Sequence, residues 1–479
     1  MKQKSVALNA VINVIRQCCT VLFPLIITRH VTGALGTANY GKVGFGNAMV
    51  EYFALLAALG IGAYAVREGA KLRERKEELT VFCSQIFTVN ILTTAISYGI
   101  LAVLLLAWER LRDYRLLILI QSAIILFTTL GTDWINNLFE DFRYIAIRHI
   151  TFQVLGLVSV FCFVHSTGDY LLYAGIMALS KIGGNVLNIF YIRKKYVRLG
   201  LTRHMDLGRH MKPLLFLFGG TMATTVYINF GTTLLTFFQG DAVTGVYSLG
   251  VKIYTIVKQL IYAVIFVVMP RLAAYLGSRD ENAYQKLLNQ LLWGLLLLML
   301  PATVGLYMLS PQIIDLLAGS AYLSGVPALR ILSVALIFGV LSYFVLYGVL
   351  IPKGLETASL VAPVAGAVAN VALNFLLIPA MSLYGAAIAV LCAEALVLLA
   401  GLWYSRSHWR MAVSPGQLLP AIPGCAAIVG VCALTQKYLH STPAIIVVAV
   451  AGSVAAYGLI LLLLGGKGLR TALRSMKRK

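Results

Sequence analysis

Residues 6–28, VALNAVINVIRQCCTVLFPLIIT, form an apolar run long enough to cross a membrane once. A helix rises by about 1.5 Å per residue, so roughly 20 residues span a hydrocarbon core about 30 Å thick. Asn13, Arg16 and Gln17 interrupt the run, which is too long for the apolar region of a cleavable signal peptide. We therefore expect it to remain in the chain as a membrane helix.

Thirteen further apolar runs follow the first one along the chain. Charged residues make up only 12% of the 479 residues, where soluble domains average about 25%. In lipid, backbone groups must be satisfied within a helix or a closed barrel, and no barrel-like alternation is present. The chain is therefore predicted to be an all-α polytopic membrane protein with 14 transmembrane helices, at residues 6–28, 43–66, 81–107, 116–139, 148–166, 169–192, 213–237, 244–270, 286–308, 327–350, 357–378, 384–404, 417–436 and 443–465.

The distribution of positive charge predicts the orientation of the chain. The formal net charge is +21, and with the N-terminus inside, 28 of the 39 Lys and Arg residues fall on the cytoplasmic side and 7 in outer loops. This bias follows the positive-inside rule. The basic blocks Arg193–Lys195 and Lys477–Lys479 then lie beside anionic lipid headgroups. We expect both termini in the cytoplasm and no nucleic-acid partner.

The sequence carries no motif for covalent chemistry. It lacks a phosphate-binding loop, a zinc-protease helix and a nucleophile elbow. All seven cysteines lie within predicted spans, where they act as small apolar residues without zinc-ligand spacing. The longest predicted outer loop, about residues 309–326, is too short for a catalytic domain. We therefore predict no catalytic residue, no metal site and no cofactor, and transport is favoured over catalysis.

Two glycine-bounded segments repeat along the chain at an offset of 204 residues, Gly36–Gly41 before the second predicted span and Gly240–Gly245 before the eighth. The even number of spans between them predicts two six-helix lobes in parallel repeat. Lobes related in this way hold substrate between them and alternate access by rocking. The predicted division is residues 1–192 for the first lobe, 193–212 for a basic cytoplasmic linker, 213–404 for the second lobe, and 405–479 for two further helices and a basic tail.

Ionisable residues lie inside several predicted spans. A charge at the bilayer centre costs at least about 2.5–3.5 kcal/mol, so such residues face a wet cavity or an opposite charge. They favour a transporter. The residues singled out are Arg16, Glu51, Asp133, Lys181, Lys252 and Lys258.

Short segments in order along the whole chain carry a family resemblance. They are Arg29 with Gly33–Gly36 and Tyr40–Gly41; Gly131–Trp134 with Phe139–Phe142 and Arg148; Gly245–Ser248; Met269–Arg271; and Leu377–Pro379 with Tyr384–Ala389. Together they resemble the Wzx-type polysaccharide flippases of the multidrug/oligosaccharidyl-lipid/polysaccharide (MOP) superfamily. The chain departs from the family pattern at Leu138, where a glycine is usual two residues before the family's glutamate, here Glu140.

The resemblance implies a lipid-linked substrate. Wzx-type flippases move an undecaprenyl-pyrophosphate-linked oligosaccharide repeat unit across the bacterial plasma membrane, from the cytoplasmic to the outer leaflet, for capsule, O-antigen or exopolysaccharide synthesis. The expected partners are this lipid-linked oligosaccharide and the lipid bilayer, with polysaccharide polymerase and other assembly proteins as candidates.

The resemblance also implies a central cavity lined by spans 1, 2, 7 and 8. Cationic side chains there suit a pyrophosphate, and amides suit sugar hydroxyl groups. For Arg16, substrate contact and an ion pair with Glu51 are both open. For Lys258, substrate contact and a polar kink of span 8 are both open. The predicted substrate-binding residues are Asn13, Arg16, Gln17, Asn47, Glu51, Asn229, Lys252 and Lys258.

A second group is predicted to form gates or internal ion pairs. Asp133 is expected to pair with either Arg148 or Lys181, and Arg29 is expected to lie just outside the first span. Glu51 and Asp133 are also candidate carriers of a coupling cation, since burial raises the pKa of a carboxyl group. The group comprises Arg29, Asp133, Trp134, Glu140, Arg148 and Lys181.

Three other functions compete with the flippase. A multidrug or metabolite antiporter of the same superfamily predicts an acidic cavity and usually 12 spans. A membrane glycosyltransferase or polymerase predicts a large outer domain. A structural scaffold of an envelope assembly complex is the third alternative.

Overall fold

The computed structural model describes the backbone of residues 6–410 and 419–464, and the side chains of residues 19–20, 23–410 and 419–464. Within these ranges the chain folds into helices joined by short turns, and 13 helices are long and apolar enough to cross a membrane. The predicted all-α membrane class is confirmed. The count of 14 spans and the orientation of the termini stay predictions.

The chain divides into two compact units, Met1–Gly245 and Val246–Lys479. The lobe boundaries predicted around the basic linker 193–212 stay predictions. The helices of the first unit are α1 (Val6–Ala58), α2 (Ile61–Lys71), α3 (Lys76–Ala107), α4 (Arg115–Gly131), α5 (Asp133–Leu138), α6 (Phe142–Phe163), α7 (Tyr170–Lys195) and α8 (Leu207–Gln239), followed by the start of α9 (Asp241–Gly277). The second unit continues α9 and adds α10 (Glu281–Met308), α11 (Ser310–Ala318), α12 (Val326–Val345), α13 (Glu356–Met381), α14 (Leu383–Ser405), α15 (Ala421–Tyr438) and α16 (Thr442–Leu464).

The segment between the first two predicted spans is helical except at one residue, and no loop separates them. Helix α1 continues through Arg29 and Lys42 and is interrupted only at Gly36, with φ 69° and ψ 178°. Arg29 belongs to the helix, and the prediction that it lies just outside the first span stays a prediction. The reason is that a fall in hydropathy marks the edge of the hydrocarbon, whereas helical hydrogen bonds continue into polar sequence.

Gly36 and Gly240 hold the same backbone conformation, which links the two copies of the repeated segment. Gly240 has φ 85° and ψ 174° and separates α8 from α9, as Gly36 divides α1. Positive φ is open to glycine at no steric cost. Each glycine therefore ends one long helix and starts the next without a loop.

The predicted span 116–139 consists of two helices rather than one. Helix α4 ends at Gly131, Thr132 is left-handed (φ 45°, ψ 42°), and Asp133 begins the separate short helix α5. Leu138, the departure from the family pattern, ends α5 with its side chain buried against Gly69, where an added Cβ would lie 2.2 Å from Leu138 Cδ1. Gly69 therefore provides the space that Leu138 occupies.

The outward surface of the last helix is apolar. In α16, Val454 and Leu463 are each 69% exposed, and only Ile445, Ala449 and Tyr457 are buried. Exposing such side chains to water is unfavourable at about 25 cal/mol per Å² of apolar surface. This helix therefore faces lipid, as expected for a multi-pass membrane protein.

Candidate functional site

A buried polar cluster in the first unit surrounds Asp133. Arg148 Nη2 on α6 donates to Asp133 Oδ1 at 2.5 Å, and Asn188 Nδ2 on α7 donates to the same oxygen at 3.0 Å. Asn188 Nδ2 also donates to the Gly131 carbonyl at 2.5 Å, and Asn136 Nδ2 donates to Asn188 Oδ1 at 2.6 Å. Of the two partners predicted for Asp133, the structure places Arg148 beside it.

Glycines allow the helices of this cluster to approach each other closely. A Cβ added to Gly184 on α7 would lie 2.6 Å from Arg148 Cγ, and one added to Gly131 would lie 2.7 Å from Asn185 Cβ. Small residues at helix contacts are the usual means of close packing in membranes. They let the guanidinium of Arg148 reach Asp133 although the two residues lie on different helices.

We expect Asp133→Asn to destabilise the protein more than Arg148→Met does. The Arg148 side chain is only 6% exposed whereas that of Asp133 is 42% exposed, so the arginine depends more on its partner. Loss of the carboxylate should cost about 1–3 kcal/mol, and loss of the arginine less, since water can solvate Asp133. Thermal unfolding of purified variants in detergent measures this, with the exposed Asp113→Asn as the control. Equal losses for the two variants would contradict the asymmetry.

A second polar cluster follows α5. Asp141 accepts hydrogen bonds from the Tyr191 and Tyr196 hydroxyls, both at 2.6 Å, and from Lys195 Nζ at 2.8 Å. Burial, and then the hydrogen bond to Asp141, raises the pKa of Tyr196, so its hydroxyl remains a donor at neutral pH. Glu140, a predicted gate residue, pairs with Arg73 at 3.0 Å. These contacts connect the turn after α5 to the ends of α2 and α7.

Two predicted substrate-binding residues meet on the exposed side of α1 and α8. Asn229 Nδ2 donates to Glu51 Oε2 at 2.7 Å, and the next residue along α1, Tyr52, has its hydroxyl 3.3 Å from Thr233 Oγ1. Asn47 lies one turn before Glu51 on α1, and its Oδ1 accepts a hydrogen bond from Gln121 Nε2 at 3.3 Å. Glu51 is exposed and Asn229 is half-buried, so both remain available to a ligand.

The second unit contains a buried ion pair. Lys258 on α9 donates to Glu394 on α14, and their side chains are 7% and 1% exposed. The Tyr254 hydroxyl donates to Glu394 Oε1 at 2.9 Å, and Ser342 Oγ on α12 donates to Oε2 at 3.4 Å. Glu394 is absent from the predicted site residues. It is the one carboxylate in the predicted span 384–404, the same signal that singled out Lys258.

The remaining predicted residues have varied surroundings. Trp134 is buried in an apolar cluster with Leu138 and Phe139. Lys252 is half-buried on α9, and Arg29 is exposed on α1. Lys181 is exposed on α7, where it borders a cavity. Three predicted substrate-binding residues have side chains outside the described ones: Asn13, Arg16 and Gln17.

Several residues of the clusters were not predicted as site residues. Asn136 and Asn188 are fully buried. The sequence feature that could have identified them is an amide side chain inside an apolar run. Asp141 belongs to the motif segment Phe139–Phe142, and the sequence predicts no role for it. Its partners on α7 and at Tyr196 can be identified only from the packing of the helices.

The match to a protein family identifies the chain at the family level. Residues 6–276 match the family model described as polysaccharide biosynthesis protein. The chain belongs to this family. The resemblance predicted from the motifs is thereby confirmed for the family. A curated relative from Shigella dysenteriae, described as "Putative O-antigen transporter", is 23% identical over 386 residues, which cover 79% of this chain and 94% of the relative.

Solved structures show which fold this family member shares. The lipid II flippase MurJ, in an inward closed conformation, superimposes with a TM-score of 0.71 at 16% identity, over 95% of this chain and 98% of MurJ. An inward-facing multidrug resistance MATE family transporter of the MOP superfamily superimposes with a TM-score of 0.64 at 16% identity, over 83% of this chain and 97% of that one. The chain thus has the MOP fold.

Proposed function

We propose that this protein is a flippase. Its substrate would be an undecaprenyl-pyrophosphate-linked oligosaccharide repeat unit, moved by alternating access from the inner to the outer leaflet of the bacterial plasma membrane for surface polysaccharide synthesis. The observation that carries the proposal is the family match over residues 6–276. The description of the Shigella relative and the shared fold with a lipid II flippase support it.

The polar groups of the membrane helices suit the two ends of this ligand. Amide and carboxylate groups such as those of Asn229 and Glu51 bind sugar hydroxyls, and a cation such as Lys252 binds a pyrophosphate. Asn47, Glu51, Asn229 and Lys252 therefore keep their proposed contact with substrate. Lys258 does not, because its charge is buried with that of Glu394. We assign it to the internal ion pairs instead.

Aromatic rings on α9, on α12 and in the π-helical turn after α12 add a surface suited to sugars. Tyr262 and Tyr343 stack with ring centroids 3.7 Å apart, and Tyr343 and Tyr347 stack at 4.2 Å. Phe266 lies beside this stack and is 55% exposed. Flat aromatic faces with polar tips bind amphipathic partners, and a pyranose ring has one such apolar face. The π-helical turn Leu346–Leu350 adjoins Tyr343, and such turns are frequent at functional sites.

The purified protein in proteoliposomes should move a fluorescent polyprenyl-pyrophosphate oligosaccharide between leaflets. A membrane-impermeant quencher destroys the fluorescence of the outer leaflet alone. Vesicles with the protein should therefore lose the protected half of their signal, while protein-free vesicles should retain it. A protected fraction equal in both preparations would overturn the proposal.

A deletion strain separates the flippase from its rivals. Loss of a flippase should accumulate undecaprenyl-linked repeat units that face the cytoplasm. Loss of an antiporter should change drug sensitivity instead, and loss of a polymerase should leave single repeat units on the outer side. The sugar chemistry follows from the mass of the accumulated lipid.

A further inference from the structure

A cavity of about 310 Å³ lies within the first unit, between α1, α6 and α7. One part of its wall is apolar, formed by residues that include Phe23, Ile27 and Leu157. The remainder is polar and includes Lys181 and Gln153. Ligand pockets span about 300–1,000 Å³, so this volume suits a headgroup and the first part of a chain.

The polar wall of this cavity is positively charged. Lys181 and Gln153 each lie near the middle of their helices, Tyr170–Lys195 and Phe142–Phe163, and His149 borders the same space one turn from Gln153. Among the lining residues that the structure describes, no carboxylate is present to balance Lys181. An ammonium group at that depth is costly unless it meets an opposite charge.

Gln153 provides a second indication that a ligand belongs here. Its Oε1 atom is buried and accepts no hydrogen bond from any described residue. A buried acceptor without a donor is unfavourable by about 1–3 kcal/mol. The amide oxygen and nitrogen can exchange by a half-turn, so Gln153 can accept from a hydroxyl group or donate to an anionic oxygen.

We infer that this cavity binds the phosphate headgroup of a lipid, with Lys181 as its charged contact. Gln153 and His149 supply further hydrogen bonds, and the hydrocarbon chain leaves along Phe23, Ile27 and Leu157. The shared chemistry is a phosphate ester on a hydrocarbon chain, which both a phospholipid and a polyprenyl phosphate supply. The inference concerns one unit of the chain and does not rest on the proposed flippase activity.

Lipid binding to the purified full chain in detergent, measured by native mass spectrometry, tests this inference. The probes are phosphatidylglycerol, undecaprenyl phosphate, diacylglycerol as a chain without phosphate, and inorganic phosphate as phosphate without a chain. Lys181→Gln should bind phosphate lipids about tenfold more weakly, the factor for loss of one charge-assisted contact, and Lys181→Arg should restore binding. Lys194→Gln, the same change at an exposed position of α7, should bind as the wild type does.

The two phosphate lipids distinguish the sources of the ligand. Tighter binding of phosphatidylglycerol would assign the site to bulk lipid, and tighter binding of undecaprenyl phosphate to the carrier lipid. Leu157→Trp should fill the apolar wall and weaken both lipids without removing a charge. The inference fails if Lys181→Gln and Lys194→Gln bind equally, if diacylglycerol binds as tightly as phosphatidylglycerol, or if only inorganic phosphate depends on Lys181.

Discussion

Replacing Gly41 with alanine should prevent α1 from packing against the start of α9. A Cβ at Gly41 would lie 1.9 Å from the Asp241 carbonyl oxygen and 2.8 Å from Gly245 N. Real Cβ atoms essentially never approach within 3.0 Å, so the contact must open by about 1 Å. The atoms in the way are backbone, which cannot rotate aside. Overpacking costs about 1–3 kcal/mol and sometimes more, and we expect the upper part of this range.

Gly33→Ala is the matched control, because it lies in the same helix and its added Cβ would have no atom within 4 Å. Size-exclusion chromatography and thermal unfolding in detergent compare the two variants. Gly245→Ala should reproduce the loss, since its Cβ would lie 2.0 Å from the Thr37 carbonyl oxygen. The double variant should lose less than the sum, because a contact that has already opened accommodates the second methyl group. A Gly41→Ala protein as stable as Gly33→Ala would refute this packing.

Replacing Glu394 with alanine should be the most destabilising single change in the second unit. The change removes the carboxylate that faces the buried ammonium of Lys258 and that accepts from Tyr254 and Ser342. Breaking one partner out of a buried ion pair costs about 3–5 kcal/mol, because the remaining charge is left in a medium that solvates it poorly. The melting temperature in detergent should fall accordingly.

A double variant distinguishes the value of the pair from the cost of breaking it. Lys258→Met with Glu394→Met removes both charges and retains most of the volume, and such replacements are often neutral. We expect the double variant to be more stable than Glu394→Ala. Glu356→Ala, at the exposed start of α13, should change stability little. A double variant that is no more stable than Glu394→Ala would show that Lys258 and Glu394 do not depend on each other.

Part of the candidate site was predictable because the penalty for charge in lipid depends on composition alone. That penalty singled out Asp133, Lys181 and Lys258 from the sequence. Their partners were less accessible, because a partner on another helix depends on how the helices rotate and cross. Asp133 had two predicted partners, and the position of α6 places Arg148 beside it. Glu394 carried the same signal as Lys258 and was missed.

The sequence by itself determined the all-helical membrane class and the glycines that end its long helices. Apolar runs of about 20 residues have no other stable form in lipid, and positive φ at Gly36 and Gly240 requires the residue type found there. Only the tertiary structure decided which charges neutralise each other and that Lys181 borders a cavity. These features arise from contacts between helices that are distant in sequence, and hydropathy carries no information about such contacts.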